Sequence, residues 1–340
     1  VTVLFGGDWL TVNNRPDANW PAVKKKIQKV AGRFFAARPK TRFERWKAAD
    51  REAILEEARA LGPLPEGSLD DVRDVVWKSI KKNALKPRGS KIETPYGDAK
   101  WIQSGRGGKK SGLLIGLHGG GENAGSASEA SGNWSMSGCM AMYPDGIRLV
   151  HDTWNTVHGE AFVLTLIELA KSRYEIDPDR VYVAGFSMGG TGSWHMAGRH
   201  PDLFAGAIPA HGVIMAEPKS KLANKEDVKN IQFGLLPNVR NLPVYFYTGL
   251  VDKNCEPGTF LFAWDRILEL REEDPGGYAD IRFKAWPGLA HAFPPGEPKK
   301  GEKWIGEKRR MRFPEKLVWE YASSPFPMPD AEDKIGRPQK

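Results

Sequence analysis

The chain has 340 residues, 40% of them apolar, and a formal net charge of +8 at pH 7. That length suits one large α/β domain with an appendage, and no apolar run approaches the roughly 18 residues that a membrane-spanning helix requires. Two cysteines, Cys139 and Cys255, are too few for a disulfide framework and lack metal-ligand spacing. Single thiols are the expectation, with a bridge between the two as the alternative.

The N-terminus, Val-Thr-Val-Leu-Phe-Gly-Gly-Asp, has no basic n-region and no full apolar signal core. It also lacks an initiator Met, so an upstream signal or tag is a candidate for removal. With such a signal the protein would be exported or periplasmic; without one it would be cytoplasmic. Residues 1–88 read as a helical N-terminal extension packed on the catalytic domain. Residues 41–61 favour helix, with apolar side chains at three- and four-residue spacing, until Gly62 and Pro63 stop them. Ser68 with Asp70 and Asp71 then reads as the capped start of a second helix running to about Leu85.

Residues 89–323 form the expected catalytic domain. Residues 91–103 read as a strand pair around a Tyr-Gly-Asp turn. Strands are predicted near 113–117, 139–143, 181–185, 205–210, 243–248 and 281–286. They alternate with helices near 159–172, 188–199, 259–271 and 313–322. Alternating β and α elements predict a mostly parallel central sheet flanked by helices. Residues 324–340, Pro-rich and charged, read as a loosely held tail. The basic runs at 24–26, 81–82, 109–110 and 298–310 read as solvated surface. No nucleic-acid motif accompanies them, so nucleic acid is not an expected partner.

The chemistry gathers at residues 185–189, Gly-Phe-Ser-Met-Gly, between the apolar strand at 181–185 and the helix from 188. A serine at a sharp strand-to-helix corner has its hydroxyl pushed out of the sheet edge, and the flanking glycines make room for the turn. Ser187 is therefore the candidate nucleophile of an α/β-hydrolase fold, in which the acid and then the histidine come later in the sequence. Of seven histidines, His291 is the one well downstream, on a loop after the last strand, and is the candidate base. Asp252, just after the strand at 243–248, is the candidate acid that would fix its tautomer. Asp265 and Glu269 have helical spacing, Asp274 and Asp280 flank a Pro-Gly-Gly turn, and Glu256 is the nearest rival. His211 ends an apolar run ahead of the acid and carries no assigned role.

After the strand at 113–117 comes His118-Gly-Gly-Gly121. Its backbone N–H groups can face a developing oxyanion together with that of Met188, the residue after the nucleophile. Gly120 is the first choice of loop donor and Gly121 the second, while His118 is expected to brace the loop. Trp134, Trp154 and Asn155 lie near the loops that gather at this edge and are candidate substrate walls. There is no Gly-Lys-Ser/Thr phosphate loop, dinucleotide fingerprint or zinc signature, so no cofactor or metal is expected.

Residues 142–212, from Met-Tyr-Pro-Asp-Gly through Ile-Asp-Pro-Asp-Arg-Val and the serine corner to Ile-Pro-Ala-His-Gly, resemble the polyhydroxybutyrate depolymerase and feruloyl-esterase-like serine esterases. The bacterial "predicted peptidase" esterases of the same superfamily are equally similar, and His291-Ala-Phe-Pro-Pro-Gly resembles the depolymerase histidine loop. The resemblance covers roughly residues 90–322 and implies Ser187, Asp252 and His291 as a triad acting on a small or polymeric ester. Gly-Leu-Val-Asp-Lys-Asn-Cys-Glu departs from the group's usual Asp followed by Val-Pro. An acyl-aminoacyl hydrolase of the same fold, or a polymer-binding protein with a lapsed site, is the alternative.

Overall fold

The computed structural model describes residues 19–44, 46–64, 67–94, 97–120, 126–146, 154–214 and 236–319. The chain divides into two compact units, Val1–Lys86 and Pro87–Lys340. The first holds three described helices, α1 (Trp20–Ala37), α2 (Ala48–Arg59) and α3 (Leu69–Lys82). Ile27 and Ala31 of α1, Ile54 and Leu55 of α2 and Val75 of α3 are buried, the one-sided apolar stripe expected of surface helices. Asp71 ties α3 to α1, accepting from Trp20 Nε1 at 3.0 Å and from Lys24 Nζ at 2.7 Å. The sequence reading missed α1, whose Lys24, Lys25 and Lys26 mask its periodicity. Ser68 is not the expected side-chain cap: its own backbone is already helical and its hydroxyl accepts nothing from the α3 amides.

The second unit is built on eight strands: β1 (Lys91–Thr94), β2 (Gly97–Ser104), β3 (Gly112–Leu117), β4 (Cys139–Pro144), β5 (Val181–Phe186), β6 (Gly206–Ala210), β7 (Val244–Gly249) and β8 (Ile281–Trp286). Their order across the sheet is β1-β2-β4-β3-β5-β6-β7-β8. The β1–β2 and β2–β4 pairs are antiparallel and every later pair is parallel. Strands β3, β6 and β7 are buried along their whole length, which is why they read as unbroken apolar runs rather than alternating ones.

The helices of this unit are α4 (Ala127–Asn133), α5 (Val157–Arg173), α6 (Met188–Arg199), α7 (Gly258–Glu273) and α8 (Glu297–Gly306). The helix expected near 313–322 is absent over residues 313–319. Met311, Phe313, Leu317 and Trp319 are exposed there, so the apolar spacing has no surface to bury. The helix lies earlier, in α8, where Gly301 passes against the Tyr245 ring and Ile305 packs over Gly206. The Lys- and Arg-rich stretch around it is not simply solvated. Arg309 pairs with Asp177, Arg310 and Arg312 with Asp179, and Lys308 with Asp280. The proposed tail at 324–340 lies outside the described residues.

Chain order reverses at β3, which has β4 on one side and β5 on the other. Open α/β sheets form their binding crevices at the carboxyl ends of strands where the order reverses. The ends of β5, β6, β7 and β8, four neighbouring parallel strands, lead in turn to Ser187, His211, Asp252 and His291.

Candidate active site

Ser187 occupies the one residue between β5 and α6, with φ 59° and ψ −121°. That region is costly for a residue with a Cβ and is kept only when the surroundings over-determine it. Here they do. The Ser187 amide donates to Ala210 O at 2.8 Å, and its carbonyl accepts from Thr191 N at 3.0 Å. A Cβ on Gly185 would sit 2.2 Å from Gly189 O, and one on Gly189 would sit 2.2 Å from Leu117 O. The two glycines of the motif are thus required by backbone-to-backbone approach. Met188 begins α6, so its N–H is one of the free donors at the helix start.

The glycine loop is anchored by His118, which is nearly buried. Gly146 N donates to its Nε2 at 2.9 Å, which leaves the proton on Nδ1 to donate to Gly119 O at 2.6 Å. Trp154 Nε1 donates to His118 O at 3.0 Å, and the two rings meet edge to face. Gly119 lies beside Ser187: a Cβ there would lie 3.7 Å from Ser187 Cβ. Gly120 comes next as an exposed residue, and Gly121 lies outside the described residues.

Asp252 is reached through a tight turn after β7. Its Oδ1 accepts from Asn254 N and from Cys255 N, both at 2.9 Å. Its Oδ2 accepts from His291 Nδ1 at 2.7 Å and from His211 Nδ1 at 2.9 Å. Burial pushes the carboxyl up, but the Cys255 amide and the two imidazole donors together hold it below the usual carboxylate range. The loops carrying Asp252 and His291 are stitched together by Leu250 N to Trp286 O at 3.0 Å and Val251 N to Leu289 O at 3.1 Å. The rival acids sit elsewhere: Asp274 pairs with Arg240 and Asp280 with Lys308, while Glu256, Asp265 and Glu269 are exposed.

The His291 side chain keeps 18% of its surface in solvent and its ring lies 4.7 Å from that of Phe186, the residue before the nucleophile. No hydrogen bond joins Ser187 Oγ to His291 in this structure. The Ser187 hydroxyl instead touches Cys255 Sγ at 3.8 Å. Catalytic hydrogen bonds are commonly long in unliganded sites and tighten with substrate.

His211 is the residue that sequence reasoning left out. It comes directly after β6, with φ 47° and a side chain without solvent exposure. The chain-order rule looks for histidine downstream of the acid, so nothing marked it. Trp134, Trp154 and Asn155 correct an expectation in the other direction. All three are buried: Trp134 packs edge to face on Phe293, and Trp154 covers Gly192 and carries the bond to His118. They are core, not substrate walls. Cys139 and Cys255 are not joined in a disulfide. Cys139 sits at the opposite strand end from Ser187, against Gly112, and burial pushes its thiol up to about 11.

His211, Asp252 and His291 bring ligating atoms within 4.8 Å of one another. In this arrangement each Nδ1 lies within hydrogen-bond distance of Oδ2.

Ser187 thus sits between β5 and α6, and Asp252 and His291 follow β7 and β8 of the same parallel sheet. This is an α/β-hydrolase fold. Residues 142–310, just under half of the chain, match the model of the Dienelactone hydrolase family. The chain is 26% identical over 125 residues to Protein usf of Aquifex pyrophilus, covering 37% of this chain and 44% of that protein. It is 44% identical over 55 residues to poly(3-hydroxyalkanoate) depolymerase C of Paucimonas lemoignei, covering 16% of this chain and 13% of that one. The chain therefore spans less than half the length of either relative. Among solved structures, a thermostable esterase aligns at TM-score 0.46 and 19% identity, covering 65% of this chain and 62% of that one.

Proposed function

We propose that this α/β-hydrolase is a serine carboxylic-ester hydrolase working through an acyl-enzyme on Ser187. The observation that carries this reading is the conformation of Ser187, held at positive φ beside an Asp252–His291 pair joined at 2.7 Å. Rotation of the hydroxyl away from Cys255 lets it give its proton to His291 Nε2 as Oγ attacks the ester carbonyl. Asp252 keeps Nδ1 protonated, so Nε2 is the free base, and its charge balances the imidazolium. The Met188 and Gly120 N–H groups take the carbonyl oxygen as it becomes an oxyanion. His291 then protonates the departing alkoxide, and a water molecule that it deprotonates releases the acid.

The expected substrates are small or polymeric esters, with short-chain, aromatic and hydroxyalkanoate acyl groups the first to try. The local identity to a poly(3-hydroxyalkanoate) depolymerase supports the last of these. Hydrolysis of p-nitrophenyl esters, with fluorophosphonate labelling mapped to Ser187 by mass spectrometry, tests the reading. Ser187→Ala should remove both signals, and retained hydrolysis in that variant would refute it.

A further inference from the structure

Two imidazoles converge on one carboxylate oxygen. The triad logic uses His291 alone, and His211 is left over, wholly buried, with its Nδ1 2.9 Å from the same Oδ2. We propose that His211 is a positioning residue: its Nδ1–H holds the Asp252 carboxylate in register for His291 and draws off part of its charge, setting how readily His291 takes the serine proton. This inference rests on the esterase reading above.

His211 can only be a donor here. Burial pushes its imidazole towards the neutral form, against the pull of Asp252. A neutral ring facing an ionised carboxylate oxygen must carry its single proton on Nδ1. Nε2 is then a bare acceptor, and it has no hydrogen-bond partner among the described residues. Leaving a buried polar atom unpaired carries a desolvation cost that a phenyl ring of similar shape would not incur. The imidazole's own contribution at this place is therefore the N–H.

The donor is also rigid. The His211 amide donates to Tyr247 O at 2.9 Å, and its ring packs on Phe186 at 5.1 Å and on Tyr247 at 5.8 Å. Strand β6 lies between β5 and β7, so His211 meets the Asp252 carboxylate from the strand between those that lead to Ser187 and to Asp252. The full burial of its side chain argues against His211 as a second base. Among the described residues, the titratable groups that the structure places against the carboxylate are His211, His291 and Cys255, with Tyr247 behind the His211 ring.

Charge sets the direction of the effect. Without the His211 N–H, Asp252 concentrates its charge on the His291 Nδ1–H, the imidazolium is favoured, and the base is lost to protonation at a higher pH. In His211→Phe the acidic limb of kcat/KM for p-nitrophenyl acetate should move up by about half a pH unit or more. Its kcat should fall about tenfold or more with KM little changed, because orientation in the transition state is lost. His211→Asn, whose side-chain amide places an N–H where Nδ1 stood, should bring both back towards the wild-type profile. A folded His211→Phe enzyme with unchanged limb and kcat would overturn the proposal.

Should His211→Phe fail to fold, nitrogen NMR of the intact protein decides. The proposal requires a non-titrating His211 with its proton on Nδ1, and a proton on Nε2 would overturn it. Failure of the esterase reading is distinguishable, since it would appear as absent ester hydrolysis and absent phosphonate labelling in the wild-type protein, whatever the His211 tautomer.

Discussion

Phe186 and His291 lie ring against ring, their centroids 4.7 Å apart and their planes tilted by 46°. Phe186 is the last residue of β5 and immediately precedes Ser187, so one aromatic side chain links the Ser187 strand to His291. The same ring also touches His211 at 5.1 Å and Phe293 at 4.3 Å. Phe186→Ala removes the platform on which both imidazoles rest. We expect ester hydrolysis to fall about 100-fold, the scale on which ångström misplacement of a catalytic group acts. The cost in stability should stay at or below about 3 kcal/mol, because the side chain is only part-buried. Phe186→Leu should recover stability more fully than rate. Thermal denaturation and steady-state kinetics on the pair check this, and equal losses of both would argue that Phe186 only fills space.

Asp252 leads to a sharper expectation. Asp252→Asn preserves shape but presents an amide to two imidazole donors and two backbone donors. An amide N–H turned towards His291 favours the tautomer with its proton on Nε2, which is useless as a base. The loss should approach about 10⁴ in kcat, as expected when the triad acid can no longer fix the tautomer. Fluorophosphonate labelling should slow in parallel. Full labelling speed in this variant would point to another acid.

The glycines divide by their surroundings. A Cβ on Gly190 would lie 2.2 Å from Ala210 O, a backbone atom that cannot give way, so Gly190→Ala should cost more than about 4 kcal/mol or prevent folding. A Cβ on Gly132, inside α4, meets nothing within 4 Å, and Gly132→Ala should stabilise by about 0.5–1 kcal/mol. Chemical denaturation of both variants provides the check, and the contrast between them matters more than either value.

Much of this architecture was legible because buried parallel strands write themselves as apolar runs. β5, β7 and β8 fall within a residue or so of where their Val, Tyr, Phe and Ile clusters put them. Ser187 was legible because its corner needs Gly185 and Gly189 on either side, and the close backbone approaches show why. His211 was not legible, because its role depends on β6 standing between β5 and β7, and strand order is not written in local sequence. Trp134 and Trp154 misled for a related reason. Proximity to a loop edge in sequence says nothing about whether a large ring points into the crevice or under it. Helix α8 was hidden by Glu297, Lys299, Lys300 and Glu302, whose charges suggest solvent although the Glu297 and Glu302 side chains are buried.

Acid should destabilise this protein more readily than moderate base. Burial pushes His118, His158, His195 and His211 below the ordinary histidine value of 6.5. For each, the unfolded chain takes up a proton at a pH where the folded one does not. Their contribution to stability is complete above about 6.5 and is lost as pH falls through the lower folded values. Burial raises Asp179 and Asp252, but Arg312 and Arg310 for the first, and the Cys255 amide and two imidazoles for the second, bring both below the usual 3.8. Their contribution is present above that value and is lost at still lower pH, so it adds to the acid loss. Burial pushes Lys171 down to about 8, and it acts in the same sense between 10.5 and 8. Cys139, raised to about 11, Tyr143 and Tyr245, each raised to about 12, and Tyr182, Tyr247 and Lys284, also raised, work the other way, and they lose their contribution as pH rises through their folded values. The melting temperature should therefore be highest at about pH 8–9 and should decline steadily between pH 7 and 5. Scanning calorimetry across pH 4–10 measures this directly, and a flat melting temperature from pH 7 to 5 would mean that the folded imidazoles take up protons just as those of the unfolded chain do.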